Sequence, residues 1–239
     1  MRWYYVKPHA AVSQYYLVTA VVIIAVCGSA RSDTTGGPSF SPVDITVYYE
    51  SLCGDSIQFV RNQLVPAYRD IGSFFTVNYI PYGKATHGKY VSNGVEKWHF
   101  TCQHGPQECY GNKAQACGIN DILTNPERTN KQQDLVNFVG CVMQARNPSI
   151  AVPQCLQTIG MDTQHVSLVE NCISSVAGDE LLAAYGDKTL ALQPSLSFVP
   201  TITVDKVYSQ EVQIGALRNL TATVCKHIPE YNKPLNCSG

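Results

Sequence analysis

Hydrophobic and polar positions predict that ordered structure begins near residue 44 and alternates between strands and helices. The runs 44–50 and 74–80 have the composition of strands, and Pro81-Tyr82-Gly83 ends the second. Between them, a helix is predicted over 53–70, with a kink at Pro66. Its apolar positions recur with helical spacing, at Ile57, Val60, Leu64 and Val65. Strand, helix and strand in this order open an α/β unit.

The middle of the chain interrupts this pattern. Residues 83–130 are rich in Gly, Asn, His and Cys and show little periodicity, which predicts a long loop held by disulfides. Helical spacing then resumes and forms an all-helical segment, with helices expected over 132–146, 153–159, 164–177 and 179–190. The whole segment 83–190 is therefore interpreted as an insertion.

The C-terminal part returns to the opening pattern. A strand over 198–205 turns into 206–208, a candidate hairpin, and a closing helix is expected over 212–227. This order predicts an α/β (α+β) chain with a single thioredoxin-like domain over 44–239. Pro200 heads the third strand. A trans bond is the commoner form, but the element order favours a cis bond that presents a backbone edge beside the helix at Cys53.

The N-terminus has the features of a secretory signal peptide over residues 1–30. Arg2 and Lys7 precede an apolar run over 17–27, and Gly28-Ser29-Ala30 supplies small residues for cleavage. The run is shorter than the roughly 20 residues that span a bilayer, so an uncleaved anchor is the weaker alternative. A flexible lead is expected over 31–43, and no membrane span after cleavage.

The charge balance excludes two classes of partner. The chain has 17 basic and 18 acidic side chains, without a basic block or a basic helix face. Nucleic acids and anionic membranes are bound through such positive surfaces. We therefore expect neither as a partner.

Cysteine usage fits the secretory pathway, where thiols pair into disulfides. The chain has 10 cysteines, and one lies in the predicted leader. If eight of the others pair, about 105 connectivities are open. The expected structural half-cystines are Cys102, Cys109, Cys117, Cys141, Cys155, Cys172, Cys225 and Cys237. Glycosylation sequons at Asn219 and Asn236 fit the same compartment.

Cys53 is the remaining cysteine, and its position between a strand and a helix suggests a nucleophile. A helix N-terminus favours the thiolate, whereas the Asp55 carboxylate disfavours a second negative charge beside it. A redox dithiol would carry its second cysteine at position 56, where the chain has Ser56. Two alternatives stay open: a buried leftover thiol, or a Cys53–Cys53 bridge that makes a covalent dimer.

The segment 99–117 contains a group of residues that suggests zinc. Sulfur and imidazole are the usual ligands of this metal, and the group consists of His99, Cys102, His104, Cys109 and Cys117. The wide spacing of the cysteines and the oxidising compartment favour disulfides instead. His104 is a candidate proton donor to the thiol, although a structural hydrogen-bonding role is the commoner one for such a histidine.

The same segment resembles the signature of a known family. Residues 98–109 read Trp-His-Phe-Thr-Cys-Gln-His-Gly-Pro-Gln-Glu-Cys, followed by Asn112 and Cys117. This resembles the gamma-interferon-inducible lysosomal thiol reductases, the GILT family. The signature positions are Cys102, Gln103, His104, Gly105, Cys109 and Cys117. The resemblance continues through Ile80-Pro81-Tyr82-Gly83, Val199-Pro200 and the Cys225 to Cys237 tail.

The resemblance implies a thioredoxin-like domain with a helical insertion in a secreted or lysosomal glycoprotein. It also implies reduction of protein disulfides at acid pH without a bound cofactor. The active pair of the family is a CxxC motif, of which this chain retains Cys53 but has Ser56 at the fourth position. Gln115 stands where family members commonly have an acidic residue. The candidate catalytic residues are Cys53, Ser56 and Pro200.

Two hypotheses follow from the missing thiol. The leading one is a secreted GILT-like glycoprotein that has lost dithiol turnover and acts by binding a protein partner or capturing it in a mixed disulfide at Cys53. The competing one is a monothiol reductase or isomerase of protein disulfides, in which an external thiol resolves the intermediate. The expected destination is extracellular, with the lysosome as the alternative.

Overall fold

The structure is a computed structural model that describes residues 40–237. The predicted signal peptide over 1–30 and residues 31–39 of the predicted lead lie outside the described residues. Ser238, the third residue of the second sequon, lies outside them as well.

A mixed three-stranded sheet forms the centre of the fold. Its strands, in the order β2-β1-β5, are β1 Val43–Tyr49, β2 Phe75–Pro81 and β5 Thr201–Val204. β1 pairs in parallel with β2 and antiparallel with β5. Ile45, Val47 and Tyr49 of β1 are fully buried, as expected for a central strand with both edges paired. The first two predicted strands are confirmed within one residue.

The helix after β1 consists of three segments. They are α1 Gly54–Phe59, a π-helical segment Val60–Leu64 and α2 Val65–Ile71. Pro66 lies in the first turn of α2, directly after the π-helical segment. Wider turns of this kind accommodate a break in the regular hydrogen-bond ladder. The predicted interruption near Pro66 is therefore a π-helical segment.

The prediction of a loop over 83–130 is wrong. A hairpin of β3 Thr86–Ser92 and β4 Val95–Thr101 is followed by the 19-residue helix α3 Pro106–Thr124. Asn93 and Gly94, with φ of 52° and 72°, form the hairpin turn, a dipeptide typical of such turns. Helix α3 lacks a clear apolar stripe because it is buried on several sides by small and polar residues, including Asn112, Ala114, Gln115, Ala116 and Cys117.

The four predicted helices of the middle segment are confirmed. They are α4 Lys131–Gln144, α5 Val152–Thr158, α6 Thr163–Ser174 and α7 Val176–Leu190. Helix α3 packs against α4, α6 and α7 and so lies at the centre of this helical layer. Lys113 Nζ of α3 contacts Asp179 Oδ1 of α7 at 2.9 Å.

The C-terminal part differs from its prediction in two places. After β5, Val204 makes a single bridge with Val207, and no second strand follows there within residues 40–237. The predicted helix over 212–227 is two helices, α8 Gln210–Arg218 and α9 Leu220–His227. Asn219 separates them with extended backbone, and its Oδ1 accepts the Ala222 N–H at 2.9 Å. Asparagine favours such a cap over a helix interior.

No helix among the described residues combines the length and the apolar character needed to cross a membrane.

Candidate thiol site

Cys53 lies at the junction between β1 and α1. Its backbone is extended, with φ −69° and ψ 121°, and it is the N-cap residue of α1. The Cys53 N–H donates to Glu50 O at 3.4 Å, and the Ile57 N–H donates to Cys53 O at 3.0 Å. A turn after the strand and the first bond of the helix therefore fix the position of the sulfur.

The chain segment before β5 lies beside this sulfur. The Cys53 thiol donates to Val199 O, with 3.9 Å between Sγ and the oxygen. The Val199–Pro200 bond is cis, as the sequence predicts, and a second cis bond, Gln193–Pro194, was not predicted. Cys53 is 8% exposed, so a partner must approach it closely along this backbone edge.

Cys53 is the unpaired cysteine within the described residues. The other eight form four bonds, which are Cys102–Cys109, Cys117–Cys172, Cys141–Cys155 and Cys225–Cys237. The expected disulfides are confirmed for the three cysteines of the 99–117 group, so their sulfurs are not free to bind zinc. Cys102 and Cys117 belong to different disulfides, and His99 Nε2 lies 3.3 Å from Thr101 Oγ1.

Ser56 is fully buried in the first turn of α1. Its Oγ accepts the Glu50 N–H at 3.5 Å. The structure shows no hydrogen bond between Ser56 and the Cys53 sulfur, among the contacts of residues 40–237. Ser56 thus stabilises the turn that leads to Cys53 and does not contact the sulfur through its hydroxyl.

Residues of the signature segment hold the same turn through hydrogen bonds. Ser51 N–H donates to Asn112 Oδ1 at 2.8 Å, and Ser51 Oγ donates to Glu108 O at 3.2 Å. Gly111 leaves room for this contact, because a Cβ there would lie 2.6 Å from Ser51 Oγ. Two residues of the α3 N-terminal half therefore anchor the Cys53 turn, a role that sequence reasoning missed because they lie more than fifty residues away.

Gln115 has a structural role in the same helix. It is fully buried, and its Oε1 accepts the Tyr49 hydroxyl at 2.7 Å. Burial raises the pKa of Tyr49 well above its ordinary value, with smaller contributions from Tyr79 and Tyr185. The phenol remains a neutral donor to the amide oxygen and links β1 to α3.

His104 contacts two buried carboxylates. Its Nδ1 lies 2.5 Å from Glu108 Oε2 and 3.5 Å from Glu50 Oε2. Its backbone N–H donates to Glu108 Oε1 at 3.0 Å. Burial raises the pKa of Glu50, opposed by the Lys84 N–H that donates to it and increased by Glu108. Both glutamates are fully buried. Among the described contacts, none joins His104 to Cys53. No contact therefore supports the predicted role of His104 as proton donor to the thiol.

A groove of about 450 Å³ extends along α1 and the π-helical segment that follows it. It is lined by Asp55, Gln58, Phe59, Asn62, Gln63, Phe198, Val199, Pro200 and Leu217. Val199, whose carbonyl contacts the Cys53 sulfur, therefore belongs to the wall of this groove. Polar amides line the helix side, and Phe198 and Leu217 supply apolar surface.

The two sequon asparagines lie at the surface. Asn219 uses its Oδ1 for the α9 cap, which leaves its Nδ2 without a role in that contact. Asn236 Nδ2 donates to Asp70 O at 3.1 Å. An N-linked glycan retains one N–H on this nitrogen, so both positions are compatible with modification.

The fold and the position of the sulfur define the class. A mixed sheet in the order β2-β1-β5, with an unpaired cysteine at the start of the helix after β1, is a thioredoxin-like fold. The crystal structure of Chlamydia trachomatis DsbA matches the chain with a TM-score of 0.50 and 13% identity, over 80% of this chain and 90% of that one. This similarity establishes the fold.

The sequence comparisons identify the family. The model for gamma interferon inducible lysosomal thiol reductase (GILT) matches residues 44–159. The "Gamma-interferon-inducible lysosomal thiol reductase-like protein" of Anopheles gambiae is 33% identical over 82% of this chain and 80% of its own length. "GILT-like protein 1" of Drosophila melanogaster is 33% identical over 86% and 83%. The chain belongs to the GILT family, as the signature segment predicts.

Proposed function

We propose that this GILT-family protein captures a protein partner in a mixed disulfide at Cys53 and does not release it by an internal thiol. The observation that carries the proposal is the pair of positions at the start of α1. Cys53 is unpaired beside Val199 O, and the residue three positions on is a buried serine. The family and the fold supply the class of chemistry, thiol–disulfide exchange.

The capture step is an ordinary exchange reaction. The Cys53 thiolate attacks one sulfur of a partner disulfide, a bond forms between Cys53 Sγ and that sulfur, and the other partner sulfur leaves as a thiolate. In a CxxC protein a second thiolate then attacks the new bond and releases the reduced partner. Ser56 has a hydroxyl, which is not a thiol nucleophile at neutral or acid pH, so the covalent complex persists.

The other cysteines do not supply the missing thiol. The eight remaining cysteines within residues 40–237 are all paired. Release by one of them would first require reduction of its own disulfide. This supports capture as the default outcome of an encounter.

The groove beside Cys53 supports a polypeptide as the partner. Gln58 and Asn62 offer amide donors and acceptors to a ligand in the groove, and Phe198 and Leu217 offer apolar contacts. Backbone pairing with an extended segment and burial of alternate side chains are common ways to bind a peptide. We propose that the segment carrying the partner cysteine lies along Phe198 and Val199.

The second candidate function is that of a monothiol reductase or isomerase. In this case an external thiolate attacks the partner sulfur of the mixed disulfide, Cys53 leaves as a thiolate, and the new disulfide joins the partner to the external thiol. Membership in a family named for thiol reductases favours this alternative. The two functions differ only in how fast an outside thiol reaches the mixed disulfide.

We further propose that the protein works as a glycoprotein outside the cell, with the lysosome as the alternative destination. The four disulfides and the surface position of Asn219 support an oxidising compartment of the secretory pathway. Purification of the natural protein from medium and from lysosomes, followed by mass spectrometry, distinguishes the two.

The test compares capture with turnover on a disulfide-bonded protein substrate. The wild-type chain is incubated with the substrate, with and without glutathione, and both released substrate thiols and covalent complexes are quantified. Capture predicts about one substrate per chain and a complex that persists in glutathione. Sustained, Cys53-dependent release of substrate thiols above the glutathione background supports the monothiol enzyme and contradicts capture.

Two variants control this test. Cys53→Ser removes the attacking sulfur and should abolish the complex, whereas Ser56→Ala removes the hydroxyl and should leave capture intact. Non-reduced peptide mapping of the wild-type chain should find Cys53 unpaired. A bond from Cys53 to another cysteine of the chain, or to Cys53 of a second copy, would show that no free nucleophile exists and would overturn both candidate functions.

A further inference from the structure

Three potential metal ligands from two parts of the chain converge beside the Cys53 turn. Glu50 follows β1, His104 precedes α3, and Glu108 lies in the first turn of α3. Each residue offers one ligand atom within 4.8 Å of those of the other two, and His104 Nδ1 contacts Oε2 of both glutamates. Both glutamates are fully buried, whereas the His104 side chain is 38% exposed.

One oxygen of this cluster is buried without a hydrogen-bond partner. Glu50 Oε1 accepts the Lys84 N–H at 2.7 Å, but Glu50 Oε2 has no hydrogen bond. His104 Nδ1 lies 3.5 Å from this oxygen, which is an ion-pair distance and too long for a good hydrogen bond. A buried carboxylate oxygen without a hydrogen-bond partner costs free energy, and this one faces His104 Nδ1.

The two carboxylates of the cluster are buried and lie beside one imidazole, and the charge of Lys84 also acts on Glu50. Buried charges are normally paired or coordinate a metal. A divalent cation between the three atoms balances both carboxylates and gives Glu50 Oε2 its missing partner.

We propose that Glu50, His104 and Glu108 form a binding site for a divalent transition-metal ion of the Zn²⁺ class. One imidazole nitrogen and two carboxylate oxygens suit zinc, with bonds of about 2.0–2.2 Å. Three protein ligands leave a fourth position, and the exposed side of His104 gives that position access to solvent. The set contains no cysteine, so the site is separate from thiol exchange at Cys53.

The geometry needs one small adjustment to hold the ion. Two ligands on a tetrahedral ion with bonds of about 2.0 Å lie about 3.3 Å apart, whereas His104 Nδ1 and Glu108 Oε2 are 2.5 Å apart. The partly exposed His104 ring can move by this amount, because its Nδ1 contacts are to the two carboxylates that would also bind the ion. Glu50 Oε2 is already at 3.5 Å from the same nitrogen.

Calorimetric titration of the full chain with Zn²⁺ at neutral pH tests the site, with the bound metal counted by mass spectrometry. We expect one ion per chain and a rise in the midpoint of thermal unfolding. Mg²⁺, which prefers oxygen ligands and waters, should not raise the midpoint of thermal unfolding. Glu50→Gln, Glu108→Gln and His104→Gln should each weaken Zn²⁺ binding by at least about tenfold, since even outer partners of metal ligands contribute 10–100-fold.

The amide variants are chosen to preserve the fold. Glutamine keeps an oxygen that accepts the Lys84 N–H at position 50 and the His104 N–H at position 108. If a glutamate variant fails to fold, His104→Gln decides, since this side chain is partly exposed. Two further variants serve as controls: His165→Gln alters a histidine that contacts Asp121 outside the cluster, and Cys53→Ser removes the free thiol. Both should retain Zn²⁺ binding.

Three outcomes would overturn the proposal. They are the absence of saturable Zn²⁺ binding to the wild-type chain, unchanged binding in His104→Gln, and loss of binding in Cys53→Ser. The last would assign the ion to the thiol.

Discussion

The side chain at position 56 decides how a disulfide held by Cys53 can be released. Ser56 lies one helical turn after Cys53 and is fully buried, and its Oγ accepts the Glu50 N–H at 3.5 Å. A cysteine side chain is only slightly larger than the serine at this position. The turn is also held by the hydrogen bonds of Ser51.

Ser56→Cys should convert capture into turnover. The introduced thiol would lie three residues from Cys53 in the first turn of the helix, from which it can attack a mixed disulfide and release the reduced partner. This leaves Cys53 bonded to the introduced thiol. With an external thiol reductant present to reduce that bond again, substrate reduction should rise from about one event per chain to many. Ser56→Ala is the matched control. No gain in turnover would show that the groove or the surrounding residues are unsuited to reduction.

Gly83 is a second position where one added atom, a Cβ, should change the stability of the fold. Its φ is +59°, and a Cβ there would clash with Glu50 Cγ. Gly94 has a similar φ of +72° but open space around it. We expect Gly94→Ala to lower the free energy of unfolding by about 1–2 kcal/mol, the backbone cost alone. Gly83→Ala should cost about 1–3 kcal/mol more, because of the clash with a packed side chain. Urea unfolding measures both, and equal losses would contradict the close approach of Gly83 and Glu50.

At the scale of elements, the break between α8 and α9 depends on Asn219. The residue has extended backbone, with φ −156° and ψ 93°, and its side chain caps α9. The same asparagine belongs to the Asn219-Leu220-Thr221 sequon. Capping uses the side-chain oxygen and glycosylation uses the nitrogen, so the two roles can be separated by substitution.

Asn219→Ala should lower the free energy of unfolding of the unglycosylated protein by about 1 kcal/mol, the usual cost of losing such a cap. Asn219→Asp should be nearly neutral, since the carboxylate still accepts the Ala222 N–H. In a secreting eukaryotic cell, both variants and Thr221→Ala should lose the same glycan mass. Unchanged mass in all three would show that this sequon is not used.

Elements with a regular pattern were predictable from the sequence, and elements in mixed surroundings were not. Local hydrophobic patterns predict β1, β2 and the helix at Cys53. The apolar side chains of these elements are buried at regular positions along the chain. Helix α3 escaped prediction because Asn112 and Gln115 are buried as hydrogen-bond partners of distant residues, which removes the apolar stripe. The Asn93-Gly94 dipeptide is the one local signal for the β3–β4 hairpin. His104 and Glu108 are four residues apart and meet locally, but the approach of Glu50 could not be inferred, because it depends on tertiary packing.

At the scale of the whole molecule, α3 and α6 are joined in two ways. The Cys117–Cys172 disulfide links residues 55 positions apart. His165 Nδ1 of α6 also contacts Asp121 Oδ2 of α3 at 3.1 Å, with both side chains largely buried at 22% and 15% exposure. The covalent link does not change with pH in the acid range, whereas the ion pair does.

Protonation of His165 should stabilise the whole fold in acid. The hydrogen bond to Asp121 raises the pKa of His165, and the charges of Asp121, Asp162 and Glu127 act in the same direction. The folded chain therefore holds this proton more tightly than the unfolded chain. The resulting stabilisation is fully present below the ordinary histidine pKa of about 6.5 and is lost as the pH rises through the raised value.

The measurement is the midpoint of thermal unfolding of the wild type and of His165→Gln, at about pH 5 and about pH 8, on either side of the usual histidine titration. The variant should be less stable than the wild type at the lower pH, and the difference should shrink at the higher one. Asp121→Asn should give the same pattern, and the double variant should add little to either, because all three remove one interaction. A difference between wild type and His165→Gln that is the same at both pH values would show that His165 contributes by packing, and that acid stability of this protein has another origin.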